Sequence, residues 1–490
     1  MHSKGTNAMG IRAKALSSSM TLTVAQVFIY GASLLRNMVL ARILTPADFG
    51  VSAAFAMVIS LLEFSSMMGI SRFVIRDPEG GDPDFINTAH SVNLLSSGLS
   101  ALLILVGSVP IAHLLNISAI QSSINYLAII PLLRGFEHLD VRRFERDLRF
   151  GPSIWSESIP QALTTLLAWP LALWYKDYRT MVALLIIKSL ASTICSHGFA
   201  ERPYGLKCHR DYGIRMLRFG WPLVVNGLLM FAVMQGDQFL VASTYTMTDL
   251  GPYAAAASLA LVPSFLFGRV FNSIALPILA KVQNDPVEFL QRYGLVIAIV
   301  CAFSSSSAIA LIGASDVWMR VVYGPAYTSS GVILALLSSA TAFRSLRIAP
   351  ALAAIARGDS INQMVSNIWR ATALAPALIL ALTGQPLWTI ACSGLLGEAF
   401  ACFASFRRLS SSHKIPLSTM SIPMLAVIVS VGGIWIFRFI FLNALSLPVI
   451  MGFSMLLALV SATIVLLLIP ESRSEVFTLL SRKWRPNRVV

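Results

Sequence analysis

The chain has 490 residues, of which 56% are hydrophobic and only 12% charged; its mean hydropathy is +0.73 and its formal net charge +14. Soluble domains carry about 25% charged residues, so a water-soluble globular chain is excluded and a polytopic membrane protein is expected. The basic residues recur in short clusters between apolar runs, which is the positive-inside pattern and not a nucleic-acid face.

Taken in chain order, the N-terminus M-H-S-K-G-T-N-A-M-G-I-R-A-K is basic and precedes an apolar run. That run is too long and too polar for the core of a signal peptide, with Ser17, Ser18, Ser19, Gln26 and Arg36 inside it, so it reads as a retained first helix. A spanning helix needs roughly 20 residues, more when tilted. About fourteen runs meet that length, near 14–43, 50–75, 85–112, 117–141, 151–175, 180–200, 213–244, 250–280, 287–313, 328–356, 361–383, 386–408, 419–442 and 445–470. The shortest links, Thr45 to Phe49 and Thr383 to Pro386, force antiparallel neighbours. With both termini in the cytoplasm, Lys and Arg favour the side of the termini by roughly five to one. The densest clusters there are Arg142, Arg143, Arg146, Arg149, then Arg202, Lys207, Arg210, Arg215, Arg218, then Arg482, Lys483, Arg485, Arg488. They read mostly as topology determinants and contacts to anionic lipid. The longest outward loop runs only from Gly313 to Thr328, so no extramembrane domain is expected.

An internal repeat is visible. When Leu35 is laid on Gly236, Ala41, Thr45, Asp48, Gly50, Ala53, Ala54 and Ala56 match Ala242, Thr246, Asp249, Gly251, Ala254, Ala255 and Ala257. The first helix then corresponds to the seventh, both pointing outward: a parallel repeat about an axis along the membrane normal. The expected fold is all-α, with two six-helix lobes (1–212 and 213–412) followed by two further helices and a basic tail (413–490). Two such lobes leave a cavity between them, the construction of an alternating-access transporter.

Charges inside spanning helices are costly and mark candidate sites. At ~1.5 Å per residue, Arg36, Lys188 and Asp237 lie roughly 12 Å below the outer surface. Glu63, Arg344, Arg370 and Glu398 lie near the midplane, with Arg72, Arg269 and Arg347 nearer the cytoplasm. Each has a plainer reading: Arg370 and Glu398 as a structural ion pair, Arg72, Arg269 and Lys188 as snorkelling side chains. Arg36 is followed by Asn37 on a helix already rich in Ser and Gln, and Asp237 is flanked by Gln235 and Gln238; both read as lining a polar cavity. The set Arg36, Arg72, Lys188, Arg269, Arg344, Arg347 and Arg370 outweighs the acids Glu63, Asp237 and Glu398, which suits an anionic cargo; arginine in particular meets phosphate oxygens with a planar fork. No catalytic residue, metal site or cofactor is expected. The five cysteines form no CxxC, the histidines no HExxH, and neither a Gly-rich phosphate loop nor a nucleophile elbow occurs.

The run R-N-M-V-L-A-R-I-L-T-P-A-D-F-G, with the later A-I-A-R-G-D, resembles oligosaccharide flippases of the Wzx type in the multidrug/oligosaccharidyl-lipid/polysaccharide exporter superfamily. Arg36-Asn37-Met38-Val39-Leu40-Ala41-Arg42-Ile43 and the helix V-P-S-F-L-F-G-R-V-F-N-S-I-A-L-P-I-L-A-K also look like the lipid II flippase. The resemblance implies that Arg36 lines the cavity. It also implies that Asp237 matches an acid of a cation site; the partner acid of that site is not evident among Asn362, Asn367 and Arg370. It implies a flippase of polyprenyl-diphosphate-linked oligosaccharide in the bacterial cytoplasmic membrane, not an enzyme. Arg36, Arg72, Lys188, Arg269, Arg344, Arg347 and Arg370 would hold substrate; Asp237, Glu63 and Glu398 would couple an ion or gate. The implied partners are the lipid-linked oligosaccharide, membrane lipids, and a polymerase and chain-length regulator, with a functional monomer and no nucleic acid. A proton- or sodium-coupled multidrug exporter of the same superfamily is the alternative. A membrane glycan polymerase would want a larger outward loop, and a structural scaffold would not need the buried charges.

Overall fold

A backbone crossing hydrocarbon must satisfy its own N–H and C=O groups, and long apolar runs do so as helices. The computed structural model describes residues 3–441 and 446–468, without the side chains of 3–20, 64–68 and 441; the basic tail with Arg482, Lys483, Arg485 and Arg488 lies outside the described residues. Among the described residues there is no strand. Contacts divide the chain into two compact units, Met1–Ala255 and Ala256–Val490.

The first unit holds α1 (Ser3–Ile43), α2 (Pro46–Arg76), α3 (Pro83–Leu114), α4 (Gln121–Leu127), α5 (Ile129–Gly135), α6 (Asp140–Arg146), α7 (Gly151–Tyr175), α8 (Arg179–Gly198), α9 (Arg210–Thr244) and the start of α10 (Met247–Lys281). Two starts share one chemistry. Thr45 before Pro46 and Asp82 before Pro83 accept backbone N–H groups of the first turn, while the proline occupies a position whose N–H needs no partner. Thr246 caps in the same way: its hydroxyl donates to Asp249 Oδ2 at 2.6 Å, as Thr45 does to Asp48 Oδ2 at 2.5 Å. Gly50 and Gly251 follow these two caps. A Cβ on Gly50 would collide with the Met247 carbonyl oxygen, and one on Gly251 with that of Pro46, so the two helix starts approach with backbone against backbone.

The second unit holds the rest of α10, then α11 (Pro286–Gly313), α12 (Ser315–Tyr323), α13 (Gly331–Leu346), α14 (Ile348–Ala356), α15 (Ile361–Thr372), α16 (Leu374–Leu382), α17 (Leu387–His413), α18 (Ser418–Phe441) and α19 (Leu447–Leu468). Helix α11 lies in its core: Phe289, Tyr293, Ile297, Cys301 and Ile312 are fully buried against residues of α13, α14, α17, α18 and α19. The expected outward loop from Gly313 to Thr328 is in fact α12 followed by a short 3-10 turn, Pro325–Ser330. The helix buries Val317, Met319, Val322 and Tyr323, and Asp316 receives Arg438 Nη2 of α18 at 2.7 Å.

Among the described residues, 12 helices are long and apolar enough to cross a membrane. Of the runs expected from sequence, 117–141 and 151–175 are not among them. The first is broken into α4 and α5. The second is one 25-residue helix, long enough to cross, but it carries Glu157, Gln161, Pro160 and Pro170. Two further runs, 328–356 and 361–383, are each interrupted by a one-residue turn. In all three the helix ends four residues before a proline: Leu127 before Pro131, Leu346 before Pro350, Thr372 before Pro376. Proline removes the N–H that would bond the carbonyl four residues back, and its ring crowds that carbonyl.

Candidate functional site

In the first unit, a cavity of about 420 Å³ opens among α1, α2, α5, α6, α7 and α8. Its charged lining is Arg72, Arg134, Glu137, Arg142, Glu145, Glu157 and Lys188, with the hydroxyls of Ser71, Ser156 and Ser192. Depth along the helices marks Arg72 and Lys188 as candidates, and the fold brings them to one cavity. Glu63 reaches it indirectly: its carboxylate meets Arg134 Nη1 at 2.7 Å. Arg142 donates to Glu145 at 2.6 Å and lies 3.7 Å from Glu157, and Glu137 accepts from Ser192 at 3.1 Å. Neither Arg72 nor Lys188 forms an ion pair among the described residues, whereas the acids are engaged by arginine or serine. The Ser156 hydroxyl, which lines the cavity, is buried without a hydrogen-bond partner. The cavity therefore offers free cations and hydroxyl-scale polar groups together, the surface an anionic, hydroxyl-rich ligand needs.

Arg134, Glu137, Arg142, Glu145 and Glu157 are site residues that the sequence reading does not find. Arg134 falls within the run 117–141, three residues after Pro131, and its charge inside an apolar run marks it as it marks Arg36. Arg142 reads from sequence as part of a topology cluster. The expected excess of cations over acids is small in this cavity, which is lined by four cations and three acids.

Arg36 is buried, with 7% of its surface exposed, and does not line this cavity. Its Nη2 donates weakly to Ser33 Oγ and Asn37 Oδ1, each at 3.4 Å, and its Nε has no hydrogen bond. It stands within electrostatic reach of Lys188. Asp237 on α9 accepts a 3.0 Å hydrogen bond from the fully buried Tyr253, and its neighbour Gln235 donates to Ser60 at 2.8 Å. No cluster of His, Cys, Asp and Glu able to hold a metal occurs among the described residues.

In the second unit, Arg344, Arg347, Arg370 and Glu398 converge. Glu398 Oε1 accepts from Arg344 Nε at 2.7 Å and lies 2.6 Å from Arg370 Nε, while Arg347 Nη2 stands 3.6 Å from Oε2. Arg347 also donates to Ser366 Oγ at 2.8 Å and Asn367 Oδ1 at 3.2 Å. The proline breaks position the group: Arg344 and Arg347 flank the end of α13, and Arg370 the end of α15. Gly397 lets α17 approach, because a Cβ there would sit 2.5 Å from Ala373 Cβ. The expected pair Arg370–Glu398 is present, as two sides of a larger cluster. Arg269 is exposed on α10 and forms no ion pair among the described residues.

Residues 39–331 match the family model described as "Polysaccharide biosynthesis protein". The chain is 23% identical over 383 residues to the lipopolysaccharide biosynthesis protein WzxC of Escherichia coli (strain K12), covering 76% of each chain. It is 26% identical over 260 residues to the amylovoran biosynthesis protein AmsL of Erwinia amylovora, covering 51% of this chain and 66% of that one. It is 23% identical over 322 residues to the succinoglycan biosynthesis transport protein ExoT of Rhizobium meliloti (strain 1021), covering 63% of this chain and 62% of that one. The fold is similar to the lipid II flippase MurJ in an inward closed conformation, with TM-score 0.71 and 13% identity over 91% of this chain and 98% of that one. It is also similar to the Vibrio cholerae MATE transporter VcmN, with TM-score 0.56 and 12% identity over 84% and 99% of the two chains. With more than half its length under one family model and a multi-spanning helical fold, the chain belongs to the polysaccharide biosynthesis protein family.

Proposed function

We propose that the protein is a flippase that carries a polyprenyl-diphosphate-linked oligosaccharide from the inner to the outer leaflet of a bacterial cytoplasmic membrane, and is not an enzyme. The observation that carries this reading is the polar cavity of the first unit, where Lys188 and Arg72 stand without ion pairs inside a membrane protein of this family. In hydrocarbon, such cations persist where they meet water or an anion. The names of WzxC, AmsL and ExoT, which speak of lipopolysaccharide biosynthesis, amylovoran biosynthesis and succinoglycan biosynthesis transport, support the same reading.

In this reading the cations hold the diphosphate, the acids and serines accept and donate to sugar hydroxyls, and the lipid tail stays in the bilayer. Two lobes of a parallel repeat alternate access, with Asp237, Glu63 or Glu398 resetting them. The recurrence of the Thr–Asp cap at Thr45 and Thr246, and of the proline break at Pro131 and Pro350, supports the repeat. Both termini face the cytoplasm, the protein works as a monomer, and a polymerase with its chain-length regulator receives the product. With the cell interior negative, moving an anion outward is downhill by about 2.3 kcal/mol per charge per 100 mV, provided the arginines stay behind.

The test is transbilayer movement of a polyprenyl-diphosphate oligosaccharide in proteoliposomes under an imposed potential. Movement that grows with the potential and falls in Lys188→Gln supports the proposal. Movement by neither protein, alongside efflux of a cationic dye, overturns it in favour of drug export.

A further inference from the structure

The cluster around Glu398 is not a closed structural knot. Three guanidinium groups face one carboxylate, an excess of positive charge within a membrane-spanning part of the second unit. A self-contained ion cluster satisfies all its donors. Here Arg344 Nη1 is buried without a hydrogen bond, and Glu398 Oε2 accepts none.

The bonding is also directional. Glu398 Oε1 takes the Nε atoms of both Arg344 and Arg370. The Nε contact fixes the plane of the Arg344 guanidinium and leaves its Nη edge for another acceptor, the edge by which arginine grips oxyanions. Exposure agrees with this order. The Glu398 side chain is 2% exposed, while Arg344, Arg347 and Arg370 are 16%, 12% and 10% exposed. The carboxylate is the most deeply buried member of the cluster, and each arginine keeps part of its side chain accessible.

We propose that the second unit carries its own anion site, built from none of the residues that line the cavity of the first unit, in which Glu398 is a positioning residue that aims Arg344, with Arg347 and Arg370 beside it, at an oxyanion. The cationic excess of the cluster suits a diphosphate. The site rests on the flippase reading only for the source of that anion, the diphosphate of the lipid carrier or an acidic sugar of the glycan.

The experiment is calorimetric titration of the purified full-length chain in detergent with inorganic pyrophosphate and, separately, with glucuronate. It is done in an Arg72→Gln, Lys188→Gln background, so that the cavity of the first unit contributes least. Arg344→Gln removes charge-assisted bonds and is expected to weaken pyrophosphate binding by about tenfold or more. Glu398→Gln keeps an oxygen for the two Nε donors and removes the opposing charge, so binding tightens severalfold. Should Glu398→Gln fail to fold, Arg347→Gln leaves both short ion pairs intact and is expected to weaken binding by a smaller factor. Preference for pyrophosphate assigns the site to the lipid diphosphate, and preference for glucuronate assigns it to an acidic sugar. Folded Arg344→Gln and Arg347→Gln variants that bind both probes like their parent overturn the site, as does absence of binding in the parent. The proteoliposome assay is read independently: flipping without binding here leaves the flippase reading standing, and binding without flipping leaves the site standing.

Discussion

Glu63 on α2 and Arg134 on α5 hold each other at 2.7 Å, joining an acid expected to couple an ion to an arginine at the edge of a broken helix. The pair ties α2 to the wall of the polar cavity. A double-mutant cycle with Glu63→Gln and Arg134→Gln is expected to show a coupling of about 0.5–3 kcal/mol in thermal unfolding. If Glu63 instead serves as an independent cation site, the two effects add and sodium stabilises the wild type.

The Glu398 cluster has an asymmetric cost. Glu398→Ala leaves three arginines facing one another without their acid, and is expected to destabilise the chain by about 3–5 kcal/mol. Replacing Arg269, which is exposed and outside any ion pair among the described residues, is expected to change stability by less than about 0.5 kcal/mol. Melting in detergent, followed by tryptophan fluorescence, separates the two.

Glycines with contacts and glycines without them should behave in opposite ways. Gly397→Ala meets Ala373 Cβ and is expected to cost about 1–3 kcal/mol, the usual penalty for overpacking. On α18, a methyl added at Gly432 would have nothing within 4 Å, so Gly432→Ala is expected to be neutral or mildly stabilising. Equal melting temperatures for the two variants would contradict the close approach of α17 to the α15–α16 break.

Acid sensitivity follows from two turn aspartates outside the spanning helices. Burial alone would raise the Asp77 carboxyl, but hydrogen bonds from Arg215 and the Glu79 backbone, with the charges of Arg215 and Arg146, bring it below its ordinary value of 3.8. At Asp359, burial is likewise overcome, by the Ile361 backbone N–H, Arg408 and His413. A carboxylate with a depressed folded-state pKa stabilises fully above the ordinary value and loses that contribution as pH falls through the folded one. Melting temperature is therefore expected to be insensitive to these groups near neutrality and to drop as pH falls below about 4. In Asp77→Asn the acid step should shrink, because the charge-assisted bonds that Arg215 Nη2 donates to the two carboxylate oxygens, each at 2.5 Å, are already lost.

Pro350→Ala restores a donor for the Leu346 carbonyl, so α13 and α14 are expected to fuse. Spin labels at Ala335 and Ile355 would then report a narrower distance distribution, with stability kept or raised and transport reduced. An unchanged distribution would mean that neighbouring helices, and not proline, impose the break.

Much is legible in the chain itself. Long apolar runs have few alternatives to helix in lipid, so the all-helical, multi-spanning fold follows from hydropathy alone. The Thr45–Asp48 and Thr246–Asp249 caps are local chemistry, set within four residues, and the sequence match locates both. The pairing of Arg370 with Glu398 follows from depth, which needs only the helix rise.

Tertiary structure decides what depth cannot. A residue count along a helix says how deep a charge lies and not which way it faces: Arg36 and Lys188 share a depth, yet Arg36, expected to line a polar cavity, is buried beside Ser33 and Asn37, while Lys188, which could equally have snorkelled, lines the cavity of the first unit. Proline marks where a helix can break, yet Pro160 and Pro222 sit inside continuous helices, while Pro131, Pro350 and Pro376 do not. Each of these prolines lacks the same N–H, so the local sequence alone does not tell which of them ends a helix. For the same reason the acids Glu137, Glu145 and Glu157 enter the site unannounced: their position on one wall depends on how α5, α6 and α7 turn against each other, which no single segment encodes.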